Sequence, residues 1–270
     1  MPFADANGQR LYYEVAGEGE PLLCVMGLGA DHLAFIPQVR ALKEHFKVIT
    51  FDNRDVGRSS YVDADYEVID MAGDAMALAD ELGLDSFHLL GESLGGTIAQ
   101  EMALGWPDRV RTLTLVATWA SRGPWGEKRA RLWANQVDRM PHEEHIDNLM
   151  LLCFSESFYE EHPERVTYLR RLMLEPEHPQ KPEGFKRQLA AGSRHEARER
   201  LPSLTMPVHV IGAEQDVLVP VWKSKQLAEL IPGAKLTIVP GAPHAVNLER
   251  ADDLNTAVLE FIQAEERAAA

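Results

Sequence analysis

The amino-acid sequence predicts an α/β protein with a mostly parallel, doubly wound sheet of about eight strands and an inserted α-helical cap. Short apolar runs, such as residues 22–26 and 47–51, alternate with segments of helical periodicity, such as residues 68–82. Unbroken apolar strands are buried on both faces, and their alternation with helices is typical of a parallel sheet. With 270 residues and 45% hydrophobic content, the chain is long enough for a large core and an inserted subdomain.

The individual elements are predicted in order from local signals. Asn7-Gly8 predicts a tight hairpin between residues 3–5 and 11–15. Continuous apolar runs predict the later strands, apolar residues at helical spacing predict the helices, and Gly83 is a stop signal for one of them. These strands comprise residues 22–26, 47–51, 87–90, 113–116, 208–211 and 236–239, and the helices comprise residues 35–45, 68–82, 96–105, 222–230 and 254–265.

The alternation of strands and helices stops near Thr118 and resumes at Val208. From residue 120 to about residue 201 the sequence shows only helical stretches, rich in Arg, Glu, Leu and Met and punctuated by prolines. We therefore expect an α/β core formed by residues 1–118 and 204–270, and a helical cap formed by residues 119–203.

The overall charge and the cysteine content limit the classes of partner and compartment. A net charge of −15 argues against binding to nucleic acid or to an acidic membrane surface. No apolar run reaches the roughly 18 residues that a membrane span needs, and no secretory signal pattern is visible. Cys24 and Cys153 lie in very different segments, which favours two reduced thiols over a disulfide. We expect a cytoplasmic protein.

The most informative motif is Gly-Glu-Ser-Leu-Gly at residues 91–95, between a predicted strand and a predicted helix. Glycines on both sides of Ser93 permit a turn that is too tight for larger neighbours, and this turn would hold the serine hydroxyl out at the sheet edge. A serine hydroxyl is a poor nucleophile at neutral pH. It needs a base within hydrogen-bonding reach and a third group that orients the base.

The base is expected on a loop at the same sheet edge, and His244 follows the last predicted strand in the segment Pro-Gly-Ala-Pro-His. The other histidines lie within strands, in the cap or beside the first core helix. The orienting carboxylate should also follow a strand, as Asp216 does, and Glu214 is its local competitor. We favour Asp216 because residues 217–220 would partly shield it from solvent.

Attack on a carbonyl also requires N–H donors for the oxyanion that forms. One candidate is the backbone N–H of Leu94, directly after the serine. The other is the backbone N–H of Leu28, in the glycine-rich segment Met-Gly-Leu-Gly at residues 26–29. This segment lacks the third glycine of a dinucleotide-binding fingerprint, because His32 stands there. His142 and His145 are three residues apart rather than the four of a helical metalloprotease motif. We therefore expect no cofactor and no metal.

Taken together, these motifs identify the chain as similar to the α/β-hydrolase superfamily over essentially its whole length. The matching segments are residues 27–29, 52–59, 91–96, 213–216 and 241–244, and the order serine, aspartate, histidine is the expected one. Within the superfamily the chain resembles the cofactor-free group of carboxylesterases and enol-lactonases. Many relatives carry His-Gly where this chain has Met26-Gly27, which makes that end of the pocket apolar. Ala213 replaces a common glycine.

The resemblance implies a serine hydrolase that cleaves small-molecule esters or lactones through an acyl-enzyme. Its catalytic residues would be Ser93, Asp216 and His244, with the oxyanion held by Leu28 and Leu94. The candidate substrate-binding residues are Met26, Gly27, Trp119, Leu218 and Val246. Two alternatives stay open, namely hydrolysis of a carbon–carbon bond in a vinylogous diketone and a non-enzymatic ligand sensor on the same fold. The substrate and the oligomeric state are not predicted.

Overall fold

An eight-stranded sheet forms the centre of the computed structural model, which describes residues 2–269. Residues 1 and 270, the outer ends of the predicted core ranges, lie outside the described residues. The strands occur in the spatial order β1-β2-β4-β3-β5-β6-β7-β8. They comprise β1 (Phe3–Ala6), β2 (Gln9–Ala16), β3 (Pro21–Val25), β4 (Lys47–Phe51), β5 (Phe87–Glu92), β6 (Val110–Val116), β7 (Val208–Ala213) and β8 (Lys235–Val239). The predicted α/β fold is confirmed.

The sheet is antiparallel only where β2 takes part. β2 pairs antiparallel with β1 and with β4, whereas all pairs from β4 to β8 are parallel. Asn7 and Gly8 form the two-residue turn between β1 and β2 with φ values of 51° and 75°, as a tight hairpin of this kind requires. The carboxyl ends of the parallel strands therefore meet along one edge of the sheet.

Eleven α-helices are found within residues 2–269. They comprise α1 (Ile36–Leu42), α2 (Val68–Glu81), α3 (Leu94–Gly105), α4 (Gly123–Val137), α5 (His142–Cys153), α6 (Glu156–Glu161), α7 (Pro163–Leu174), α8 (Pro182–Arg194), α9 (Trp222–Leu230), α10 (Val246–Glu249) and α11 (Ala251–Ala269). The first predicted helix is shorter than expected, because a single 3-10 turn (His32–Phe35) precedes α1 and His45 lies beyond its end. The last is longer and is preceded by the short α10.

Helices cover both faces of the sheet, as β3 illustrates. Leu23 and Val25 belong to the apolar cluster that includes residues of α2 and α3. Leu22 and Cys24 belong to the second cluster, with residues of α1 and α11. Since successive side chains of a strand point to opposite faces, this division shows that both faces are buried.

Helices α4 to α8 all lie between β6 and β7, and we call this segment the helical insert. Parts of it form a small apolar cluster of their own around Met150, Phe154 and Phe158. The insert is joined to the core by the ion pair of Arg187 with Asp55 at 2.8 Å. No helix within residues 2–269 has both the length and the apolar character needed to cross a membrane.

Candidate active site

Ser93 occupies the turn between β5 and α3 in a backbone conformation that non-glycine residues rarely adopt, with φ 56° and ψ −119°. The surrounding backbone holds this turn in place. The N–H of Ser93 donates to the carbonyl of Val116 at 2.9 Å, and the carbonyl of Ser93 accepts from the N–H of Gly96 at 3.0 Å. The same carbonyl accepts from the hydroxyl of Thr118 at 2.6 Å. Strain of this kind persists only where the neighbouring structure fixes it, and it is common at reactive residues.

The glycines two residues before and two residues after Ser93 are required by close packing. A Cβ atom on Gly91 would lie 2.7 Å from the Cβ of Ala99 and would also collide with the carbonyl of Gly95. A Cβ atom on Gly95 would collide with the carbonyl oxygen of Val25 at the end of β3. The motif thus allows α3 to start directly against the sheet, with the serine at the tip.

His244 joins Ser93 to Asp216 by hydrogen bonds on its two ring nitrogens. Its Nε2 lies 3.0 Å from Ser93 Oγ, and its Nδ1 lies 2.7 Å from Asp216 Oδ2. An aspartate carboxylate only accepts hydrogen bonds, so Nδ1–H donates to it and Nε2 is left to accept from the serine hydroxyl. The structure therefore brings together the three side chains that the sequence singled out.

The backbone that follows Asp216 fixes its carboxylate. Oδ1 accepts from the N–H groups of Leu218 at 2.8 Å and Val219 at 2.7 Å, which leaves Oδ2 for the imidazole. The competing carboxylate of Glu214 is exposed and accepts from the N–H of Gly241 at 2.8 Å. Asp216, rather than Glu214, is the partner of His244.

The two candidate oxyanion donors lie on elements that converge at Ser93. Leu94 is the first residue of α3, so its N–H has no partner within the helix. Leu28 lies in the loop after β3, and a Cβ atom on its neighbour Gly27 would lie 2.9 Å from Ser93 Cβ. The loop after β3 therefore passes directly over the serine turn.

Gln188 of α8 fixes that loop and was not predicted from the sequence. Its side-chain oxygen accepts from the N–H of Gly29 at 3.1 Å, and its amide nitrogen donates to the carbonyl of Arg54 at 2.7 Å. Gln188 is fully buried. Its only signal in the sequence is a glutamine within a helical stretch, and nothing in the pattern tells which core loop that helix touches.

Glu92, directly before the serine, is a buried carboxylic acid without a charge partner. It is 1% exposed, and its Oε2 has no hydrogen-bond partner among residues 2–269. Burial raises the pKa of this carboxyl well above its usual value, and the negative charge of Asp216 raises it further. Both effects favour the neutral acid over the carboxylate. Burial, together with the charge of Asp216, raises the pKa of the nearby Cys153 thiol to about 12.

The five predicted substrate-binding residues do not all lie together. Trp119 and Leu218 line one cavity of about 440 Å³. Gly27 packs against Ser93, and the carbonyl of Met26 accepts from the side chain of Asn53 at 3.0 Å. Val246 has no exposed surface and packs in the core cluster with residues of α11. Val246 begins α10, and its part in substrate binding stays a prediction.

A second histidine–aspartate pair lies beside the loop after β4. His32 Nδ1 is 2.7 Å from Asp52 Oδ1, and both residues are buried. With Asp31 they form the one group of possible metal ligands found within residues 2–269. Asp52 already accepts from the N–H groups of His32 and Arg58, both at 2.8 Å. These bonds use the carboxylate to hold two loops together.

Comparison with known proteins identifies the family. Residues 20–251 match the model of the alpha/beta hydrolase fold family. The chain belongs to the α/β-hydrolase fold family. Among solved structures it is similar to the enol-lactonase from Burkholderia xenovorans LB400, with a TM-score of 0.87 and 26% identity over 97% of this chain and 100% of that one. It is also similar to a thermophilic esterase from Thermogutta terrifontis, with a TM-score of 0.86 and 26% identity over 95% of this chain and 94% of that one.

Curated relatives point to the same class of enzyme. A protein of Azorhizobium caulinodans named "Putative carbamate hydrolase RutD" is 30% identical over 97% of this chain and 98% of its own length. Its namesake in Agrobacterium fabrum is 29% identical over 93% of this chain and 98% of its own length. This family member is a hydrolase.

Proposed function

We propose that the protein is a serine hydrolase that cleaves small-molecule carboxylic esters or lactones through an acyl-enzyme. The observation that carries this proposal is the hydrogen-bonded series Ser93–His244–Asp216, with distances of 3.0 Å and 2.7 Å. The series lies at the carboxyl ends of β5, β7 and β8, where ligands of open α/β sheets bind.

In the first half of the reaction, Ser93 Oγ attacks the substrate carbonyl while His244 Nε2 takes the hydroxyl proton. Asp216 holds the imidazole and stabilises its positive charge. The N–H groups of Leu28 and Leu94 donate to the oxygen that becomes negative. His244 then gives its proton to the leaving alcohol, and the acyl group stays on Ser93.

In the second half, His244 removes a proton from water, and the resulting hydroxide attacks the acyl-enzyme. Collapse of the tetrahedral intermediate breaks the bond to Ser93 Oγ, which recovers its proton from His244. The carboxylic acid product leaves. No cofactor is needed, because the protein's own groups carry every proton.

We also propose that residues 119–203, which include the helical insert, form the predicted cap over this site. Three contacts support it. Gln188 holds the loop that contains Leu28, as described above. The N–H of Ala245, next to the catalytic histidine, donates to the carbonyl of Cys153 at 2.9 Å. Arg129 donates to the carbonyl of Val217, next to the catalytic aspartate, at 2.5 Å.

A carbamate is the second candidate substrate, favoured by the names of the curated relatives. A carbamate carbonyl can be attacked by the same serine, with an amine or alcohol leaving in place of the ester alcohol. A panel of p-nitrophenyl esters, lactones and carbamates would rank the classes by kcat/KM. A vinylogous diketone in the same panel tests carbon–carbon bond hydrolysis.

The test of the proposed chemistry is Ser93→Ala. We expect kcat/KM for p-nitrophenyl butyrate to fall by about a thousandfold or more, because the nucleophile is lost while the fold is kept. Circular dichroism would check the fold. Turnover within about tenfold of the wild type would contradict the proposal.

A further inference from the structure

The cavity lined by Trp119 and Leu218 carries an unusual charge for this protein. Its volume is about 440 Å³, in the range of small-ligand sites. The chain has a net charge of −15, yet the cavity wall contains three basic residues and no acidic one. The basic residues are Arg122, Arg198 and Lys223. Such a local concentration of positive charge in an acidic protein favours an anionic ligand.

Arg122 is the one of these cations that lacks a partner. Arg198 forms an ion pair with Glu196 at 2.6 Å, and the ammonium group of Lys223 donates to the carbonyl of Ser121 at 2.5 Å. No ion pair among residues 2–269 includes Arg122, and its buried Nε has no hydrogen-bond acceptor there. Burial and the nearby charge of Arg129 lower the pKa of the Arg122 guanidinium to about 10, although the negative charge of Asp216 acts in the opposite direction.

Trp119 supplies a second donor without an acceptor. Its indole Nε1 is buried and has no hydrogen-bond partner among the described residues. The guanidinium carbon of Arg122 lies 3.7 Å from the centroid of the Trp119 ring, so the two side chains are stacked. Indole and guanidinium nitrogens only donate hydrogen bonds, and leaving buried donors unpaired is costly. A bound acceptor, and best an anionic one, would remove that cost.

The surrounding residues hold Arg122 in this position. The carbonyl of Arg122 itself is 3.4 Å from the Lys223 ammonium, which fixes the backbone at the start of α4. Gly126, one turn into α4, makes room for the side chain, because a Cβ atom there would lie 3.0 Å from Arg122 Cβ and 3.1 Å from its Cδ. Trp125 and Trp222 are 61% and 52% exposed and form an apolar rim.

The cavity adjoins the Ser93 site through two elements. Leu218 and Val219 line it, and their N–H groups hold Asp216. The side chains of Trp119 and Leu94 both lie next to Gly192 of α8. A Cβ atom on Gly192 would lie 3.6 Å from Trp119 Cζ2 and 2.7 Å from Leu94 Cδ1. The residues that line the cavity do not include Ser93 or His244. The inference is that one molecule spans both places, with one group held by Arg122 and its carbonyl at Ser93.

We propose that Arg122 and Trp119 bind a carboxylate carried by the substrate, so that the enzyme prefers esters or lactones with a free carboxylate. A carboxylate fits because the wall offers one guanidinium without an ion-pair partner and one unpaired indole N–H, beside apolar side chains. A phosphate carries up to two charges and three strong acceptor oxygens, more than this wall matches. The inference rests on the proposed function, and the substrate it defines is an acidic ester or lactone.

The kinetic test compares matched charged and neutral esters. Mono-p-nitrophenyl glutarate carries the carboxylate on the acyl side, 4-carboxyphenyl butyrate carries it on the leaving side, and p-nitrophenyl butyrate is neutral. We expect Arg122→Gln to lower the charged-to-neutral ratio of kcat/KM about tenfold or more for at least one charged ester, because a charge-assisted hydrogen bond is lost. Unchanged ratios for both charged esters would overturn the assignment.

Two further variants test whether the position of the Arg122 guanidinium matters and whether the loss of any arginine from α4 has the same effect. Gly126→Ala keeps the guanidinium but displaces its stem, so we expect it to lower the same ratio in part. Arg131→Gln removes an exposed arginine of the same helix and should leave the ratio unchanged. A drop with Arg131→Gln equal to that with Arg122→Gln would show a general charge effect and refute a local site.

Direct binding keeps this inference separate from the hydrolase proposal. Tryptophan fluorescence of Ser93→Ala, titrated with monomethyl glutarate, should change saturably, and the further change Arg122→Gln should abolish that response. If no ester is hydrolysed but this binding occurs, the reaction fails and the carboxylate site stands. If esters are hydrolysed but monomethyl glutarate does not bind, or inorganic phosphate binds more tightly, the carboxylate site is refuted.

Discussion

Two histidine–aspartate pairs in this protein have the same distance of 2.7 Å between Nδ1 and the carboxylate, yet they face different groups. His244 has 12% of its side chain exposed and places Nε2 3.0 Å from the hydroxyl of Ser93. His32 is 5% exposed and has Nε2 3.5 Å from a carboxylate oxygen of Glu14. An imidazole held by a carboxylate is therefore not a site by itself, because the group at the second nitrogen decides what the pair can do.

The two aspartates are held in similar ways, since each accepts two backbone N–H groups. Asp216 accepts two backbone N–H groups from its own loop. Asp52 accepts backbone N–H groups from His32 and Arg58, which lie in two different loops. The first arrangement orients a histidine toward a strained serine, whereas the second fastens two loops of the core. We expect loss of the first pair to reduce activity and loss of the second to reduce stability.

The largest difference is expected between His244→Gln and His32→Gln. Without its general base the first variant should lose about a thousandfold or more in kcat while its urea midpoint stays near that of the wild type. The second should lose about 1–3 kcal/mol of unfolding free energy, since it disturbs a buried hydrogen-bonded pair, and keep kcat per folded molecule within about twofold. Equal losses of kcat in both variants would contradict the assignment of a catalytic role to His244 and a structural role to His32.

Gln188→Ala should have an intermediate effect, because it loosens the loop that lies over Ser93 without touching the reacting groups. Two backbone groups, the partly buried N–H of Gly29 and the buried carbonyl of Arg54, lose their partner. We expect kcat to fall by about tenfold and the unfolding free energy by about 1–3 kcal/mol. Partial recovery of kcat in Gln188→Glu, which keeps the acceptor for Gly29, would separate positioning from general destabilisation. A kcat equal to that of the wild type in Gln188→Ala would contradict this role.

The pH dependence of stability tests the structural role of the His32–Asp52 pair. Burial opposes protonation of His32, but its hydrogen bond to Asp52 and the charge of Asp52 outweigh this and raise its pKa above the usual 6.5. Its contribution to stability is therefore complete below about pH 6.5 and is lost as the pH rises through the higher folded-state pKa. Urea unfolding of wild type and His32→Gln between about pH 5.5 and 8.5 should show a difference that shrinks with increasing pH. A difference in unfolding free energy that grows with increasing pH would contradict this expectation.

The smallest effect is expected for Glu92→Gln, although Glu92 lies next to the nucleophile. Burial and the charge of Asp216 raise the pKa of its carboxyl and so favour the neutral acid. An uncharged amide of the same size should leave kcat/KM within about threefold of the wild type. Steady-state kinetics of both proteins at pH 7 would measure this. A loss near that of Ser93→Ala would mean that the Glu92 proton takes part in the reaction.

The sequence predicted the parts of the site that follow local rules. Ser93, Asp216 and His244 each follow a buried strand, and parallel strands bring their carboxyl ends to one edge. Gln188 and Arg122 were not predicted, because their roles depend on how the helical insert packs on the core.

The most direct test of the account is labelling with a fluorophosphonate, which reacts covalently with an activated serine. Intact-mass measurement and peptide mapping should find one adduct per wild-type chain, on Ser93. Labelling should be at least about a hundredfold slower in His244→Gln and unchanged in His32→Gln. An adduct on another residue, or equal labelling rates in the wild type and His244→Gln, would contradict the assignment of Ser93 and His244 as nucleophile and base.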